Sequence, residues 1–382
     1  MLTRSGAGND GKRHMSILDP VVLTPVLGVL AGCVLGFAAR ATHFCTLSSL
    51  ERHWYAGDSS GLRTWVLASV CALIGTQLLV AFGLADPAAS FYLTADFAWT
   101  GAIAGGVMFG IGMALVGTCG FGAVLRLGGG SLRALVVLTV IGLSALAAQR
   151  GILAVLRVPL VDDLAYSFDW AGSQSVGDIL SALTGLRLQE AVAVLFAGAG
   201  LTWIFRSASY RRQFDKIGSA IVIGGVIAFG WWATTFTAAR SFYPIQIEAG
   251  SFVVPVGDTI MQLITYTGIW PDYGIGLIVG TFLGAVLAAV WKRDIRWEAC
   301  DDARELGRHI LGGTLMGIGG VMAMGCTVGQ GMTGFSTLAL SAPVVMLSMA
   351  FGARLGLAWL FEGSVFALFR RHGGGQHRSP AE

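Results

Sequence analysis

Long apolar runs recur along this chain, separated by short polar stretches. Nine of them approach the length of about 20 residues that crosses a bilayer core: Val21–Ala39, Thr64–Leu84, Trp99–Val116, Leu132–Ala148, Leu188–Phe205, Ile217–Thr235, Tyr273–Trp291, Ile310–Met324 and Pro343–Phe369. A tenth, Gly151–Leu160, is too short to cross and reads as an interfacial or re-entrant piece. The acidic, polar stretch Val161–Gly185 reads as an exposed loop, and residues 370–382 as a disordered tail. Over 382 residues the chain is 54% hydrophobic and 12% charged. That is about half the charge fraction of a soluble domain. The pattern predicts an all-α polytopic membrane protein with about nine transmembrane helices. The net charge of +3 gives no footprint for nucleic acid. The lipid bilayer is the one partner that composition demands.

Basic residues orient the spans, because cytoplasmic loops are enriched in Lys and Arg. With strict alternation of nine spans, 17 of the 25 basic residues fall on the side of the C-terminus and 7 on the side of the N-terminus, with Arg354 inside the last span. The expectation is a cytoplasmic C-terminus and a periplasmic N-terminus. The three basic residues of the tail 1–20 pull mildly the other way.

The chain also resembles itself. Sliding it along its own length places Gly105 on Gly312, Gly106 on Gly313, Gly110 on Gly317, Gly112 on Gly319, Cys119 on Cys326 and Gly122 on Gly329. A second register places Gly32 on Gly224, Phe37 on Phe229, Phe44 on Phe236, and Cys45 on Thr237. The reading is two related four-span halves, 21–160 and 216–369, joined by a loop and one linking span over 161–215. A single linking span makes the halves enter from opposite sides, so the repeats are inverted. Inverted repeats with broken helices hold substrate near the midplane, where the halves meet.

Two glycine-rich breaks mark that meeting point: "GTCGFGAVLR" at 117–126 and "GCTVGQGMTG" at 325–334. Non-helical backbone at membrane depth is tolerated only inside protein or along a cavity. Glycine suits such a break because it accepts positive φ and close approach. A short re-entrant helix restarting after each cysteine would aim free N–H groups at the break and attract anions. Cys119, Cys326, Gly120, Gly122, Gly325 and Gly329 are therefore the candidate substrate-binding residues. Cys45, in "HFCTLSSLER", lies just past the first span, where either a place on the same path or a buried small side chain fits. Gly32, Gly36, Gly105 and Gly106 read as helix-packing positions. Cys33 and Cys71 read as packing residues and Cys300 as a loop residue. Arg354 and Glu362, two turns apart in the last span, would pair or line a wet cavity. The cysteines show no CxxC or Cys/His metal spacing, so no metal or other cofactor is expected.

At these motifs the sequence resembles the YeeE/YedE family of sulfur-compound transporters. The match runs from about Val21 to Phe369 and takes in all three cysteine motifs in order. The resemblance implies an hourglass-shaped path through the bacterial inner membrane, thiosulfate as substrate, and Cys45, Cys119 and Cys326 along the path. It further implies a small cytoplasmic sulfur-carrier protein as partner of some members. Members handling other sulfur compounds or selenium leave the substrate open within that class. The expected activity is transport rather than catalysis. A membrane thiol oxidoreductase is the rival from a different class, and the missing CxxC and the symmetric cysteine placement count against it. A metal-ion channel would need acidic residues that the spans lack.

Overall fold

The computed structural model describes residues 19–186, 188–265, 270–300 and 302–363. Most of the tail 1–20, and all of 370–382, lie outside the described residues. Among the described residues the chain is all-α apart from a two-residue antiparallel pairing of Asp96–Phe97 with Tyr166–Ser167 and two isolated bridges, Ser131 with Glu298 and Ser175 with Ala339. Its helices are α1 (Pro20–Ala41), α2 (Thr46–Ala56), α3 (Ser60–Ala81), α4 (Gly106–Val116), α5 (Gly120–Gly128), α6 (Leu132–Gln149), α7 (Ala154–Arg157), α8 (Val176–Thr184), α9 (Gln189–Phe205), α10 (Phe214–Ala238), α11 (Val254–Ile264), α12 (Tyr273–Lys292), α13 (Ala303–Met322) and α14 (Ser341–Glu362). A further short helical segment occupies 327–336.

Among the described residues, 7 helical stretches are long and apolar enough to cross a membrane, and this is a multi-pass membrane protein. The remaining two predicted spans take shorter or more polar form. Leu188–Phe205 appears as α9, 17 residues long. Ile310–Met324 is the apolar part of α13, whose first turns carry Arg304, Glu305, Arg308 and His309. Side-chain caps fix several helix starts: Asp19 accepts from the Val21 N–H at 3.2 Å, and Asp272 from Ile275 at 2.8 Å.

The helices meet through glycine. Gly28, Gly32 and Gly36 of α1 face Gly276, Gly280 and Gly284 of α12, so the two backbones run in contact. A Cβ at Gly32 would stand well inside contact distance of the Leu277 carbonyl, and one at Gly280 would do the same at Val29. Gly110 on α4 and Gly352 on α14 repeat the arrangement. In a bilayer, where apolar burial gives little drive for helix association, such backbone-to-backbone packing supplies the attraction. The packing is ordered in pairs. α1 lies on α12 and α10 on α3; α4 lies on α14 and α13 on α6; α1 meets α10, and α4 meets α13.

Three readings change. The stretch Val161–Gly185 is not simply an exposed loop. Its Gln174 and Ser175 are buried, because backbone bonds tie this stretch to the turn before α14: Val176 donates to the Leu338 carbonyl and Leu340 donates to that of Gln174. Arg354 does not pair with Glu362 but stacks over the rings of Tyr55 and Trp54, 4.6 and 5.5 Å from their centroids. Finally, α2 and α11 are short helices that a search for full-length spans passes over.

Candidate functional site

Each candidate cysteine stands at the start of a short helix. α1 ends at Ala41, the chain turns through His43 with φ of 54°, and Cys45 takes extended backbone as N-cap of α2. α4 ends on Gly117, left-handed at φ 79°, and Cys119 is the extended N-cap of α5. α13 ends at Met322, Gly325 takes φ of 155°, and Cys326 precedes the helical segment 327–336. No side chain caps α2 or α5, so their first N–H groups are left to other partners.

The structure brings the three thiols together. Cys119 lies within electrostatic reach of Cys45 and Cys326, with the Thr327 hydroxyl and the Gly122 N–H beside its sulfur. Cys119 is 1% exposed and Cys326 fully buried, while Cys45 is half-buried. The Cys326 sulfur accepts from the Gly329 N–H at 3.3 Å and faces the N–H groups of Val328 and Phe252. A sulfur already accepting from backbone donors keeps its own S–H free to donate, and a thiol is a weak donor.

The candidate glycines shape this space. A Cβ at Gly120 would stand 2.7 Å from the Phe252 carbonyl oxygen. At Gly122 it would run into the Thr118 hydroxyl, and at Gly329 it would meet the Tyr92 hydroxyl at 3.0 Å. At Gly325 it would lie 3.1 Å from the Gln330 side chain. Gln330 holds the break from within by donating to the carbonyls of Ala323 and Met324, at 2.9 and 3.2 Å.

Phe252 is the residue the sequence reading missed. It touches both breaks through its backbone, and its ring packs on that of Phe121 with centroids 4.7 Å apart. Both rings are buried. Phe252 and Val253 precede α11, and Phe44 and Cys45 precede α2, with Val253 in helical and Cys45 in extended backbone. Thr237, which the internal match sets against Cys45, lies within α10, its hydroxyl donating to the Ala233 carbonyl at 3.0 Å. Because that hydroxyl is satisfied inside its own helix, Thr237→Ala should keep uptake near the wild-type rate; loss at equal membrane abundance would mean the hydroxyl reaches the substrate.

Hollows lead towards the breaks from opposite ends of α6. One, of about 340 Å³, includes Arg150, Arg157, Glu248, Ser251 and Gly325 in its wall. It ends beside Cys326. The other, of about 150 Å³, includes Thr118, Arg126, Arg133, Arg308 and His309. It ends beside Cys119. α6 has 18 residues, so the two mouths are separated by roughly 27 Å at 1.5 Å per residue. Glu248, on the connection between α10 and α11 and outside the spanning helices, is buried; burial pushes its carboxyl up to about 8, and Asp272 and Asp258 act in the same direction. A neutral Glu248 does not repel an anion in the first hollow, where Arg150 also stands 3.6 Å from Asp258.

Converging helix starts, thiols free to donate and arginine-bearing hollows on both sides suit a small anion with a soft atom. Comparison with known proteins bears on the same point. The chain is 28% identical over 354 residues to a thiosulfate transporter, TsuA, of Spirochaeta thermophila, covering 90% of this chain and 99% of that one. It is 24% identical over 328 residues to a thiosulfate transporter, TsuA, of Escherichia coli, covering 80% of this chain and 86% of that one. A family model described as sulphur transport matches residues 41–355, and with most of its length inside that match the chain belongs to the sulphur transport family.

Proposed function

We propose that this protein carries thiosulfate, or a closely related small sulfur anion, into the cytoplasm through a path lined by Cys45, Cys119 and Cys326 that runs from the larger hollow, near Cys326, to the smaller one, near Cys119. The observation that carries this reading is that Cys119, the N-cap of α5, stands near both Cys45, the N-cap of α2, and Cys326, which precedes the helical segment 327–336. Each helix start presents roughly half a positive charge to an anion. The thiols then donate weak bonds to the terminal sulfur. Weak sites in series hold the ion briefly and let it leave, which conduction requires.

The arrangement supports two inverted four-span halves joined by α9, with the waist of an hourglass at the paired breaks. The main packing pairs are consistent with this: exchanging the elements of one half for those of the other turns α1 on α12 into α10 on α3 and α4 on α14 into α13 on α6, and leaves α1 on α10 and α4 on α13 unchanged. On this reading the hollow that holds Arg126, Arg133 and Arg308 faces the cytoplasm, in keeping with the excess of basic residues there. The N-terminus is then periplasmic.

Proteoliposomes holding the full chain should accumulate labelled thiosulfate, with excess sulfate competing poorly. Sulfite and selenite, as further competitors, rank the substrate range. Uptake no greater than in empty liposomes would overturn the proposal. A Cys119–Cys326 disulfide forming during turnover would favour the oxidoreductase instead.

A further inference from the structure

The smaller hollow contains a group that nothing above has used. His309 is 6% exposed, lines the hollow, and has no hydrogen-bond partner at Nδ1 among the described residues. A buried unpartnered nitrogen of this kind calls for a ligand, since leaving it unpaired is costly. Its other nitrogen, Nε2, stands 3.7 Å from Glu305.

The charges around it are unevenly committed. Arg133 donates to Glu298 and Glu305, both at 2.7 Å, so the two carboxylates of the hollow share one arginine. Arg126 donates one N–H to the Gly117 carbonyl at 2.8 Å, and neither Arg126 nor Arg308 makes an ion pair among the described residues. Both lie close enough to His309 to act on it electrostatically. Two guanidinium groups without an ion pair among the described residues, an unfilled imidazole nitrogen and the Thr118 hydroxyl next to Cys119 therefore surround a space of about 150 Å³.

We propose that Arg126, Arg308 and His309 form a second anion site, where the sulfur dianion waits after passing Cys119 and before it leaves. This rests on the transport reading above. When the ring carries both protons, Nδ1 is a donor that can face an anion. A dianion between Arg126 and Arg308 supplies the charge that favours that form. The charged groups facing His309 are Glu305 and Arg308 on α13, Arg133 on α6 and Arg126 on α5, with Glu298 across the same hollow. Imidazole is the side chain whose charge changes most readily near neutrality. Binding from this side should thus tighten as the pH falls.

The test measures labelled thiosulfate flux in right-side-out and inside-out membrane vesicles, so that half-saturation is read from each side separately. Arg308 is exposed, so Arg308→Gln should fold. Loss of a charge-assisted bond should raise half-saturation from the arginine-rich side by about tenfold or more and leave the other side unchanged. In the wild type, half-saturation on that side should fall as the pH is lowered and the ring gains its second proton. His309→Gln should remove this dependence. No shift in Arg308→Gln, or an equal shift on both sides, would overturn the site. A pH dependence that survives His309→Gln would overturn the role of the imidazole. No flux by the wild type overturns the transport reading, and this site with it.

Discussion

Cys119→Ala and Cys326→Ala should abolish growth on thiosulfate, or reduce it sharply, in a host that cannot use sulfate and depends on this protein. The reason is position. Both sulfurs are buried at helix starts, so an anion passing there has left its water and has few other donors. Each missing bond costs about 1–3 kcal/mol when a buried polar group is left unsatisfied, which is roughly five- to 150-fold in affinity. Cys45→Ala should weaken growth less, because Cys45 is only half-buried and water can stand in. Cys33→Ala, Cys71→Ala and Cys300→Ala should grow nearly normally. Serine sharpens the test. It keeps a donor but replaces a soft, large atom with a small, hard one. Normal growth of both Cys119→Ser and Cys326→Ser would show that the sulfur contact is not specific. Equal damage from Cys71→Ala at equal protein levels would show that the path lies elsewhere.

The second large effect concerns folding. Gly280→Leu should leave little or no folded protein in the membrane, judged by abundance and by elution as a single species in mild detergent. The new side chain would have to enter the α1 backbone at Val29, and backbone cannot yield as a flexible side chain can. Overpacking costs about 1–3 kcal/mol even where neighbours are able to adjust. Gly225→Leu, on α10 with open space before it, is the control and should accumulate normally. Normal abundance of Gly280→Leu would mean that the α1–α12 contact does not hold the fold together.

Much of this architecture was legible in the sequence, because span length and glycine spacing are local signals. Gly32 and Gly36 read as packing positions and face α12 backbone; Gly105 and Gly106 read likewise and face α13 and α14. The restart of helix after Cys119 and Cys326 also followed from the motifs. What escaped was non-local. α11 and the buried stretch before it lack the length of a span, and Phe252 earns its place through backbone contacts with two distant breaks. Thr237 aligns with Cys45 in the internal match, yet it lies within α10 and not at a helix start. His309 drew no notice, since a lone histidine in a charged stretch looks like a solvated residue until α5 and α6 close around it.

The donors facing the Cys326 sulfur belong to the main chain at Phe252, Val328 and Gly329. Substitution of a side chain leaves a peptide N–H in place, unless the newcomer is proline or displaces the backbone. The hydrogen bonds that hold this sulfur are therefore insulated from sequence drift at those positions. A mutational scan of the side chains would correspondingly pass over the donors that orient Cys326.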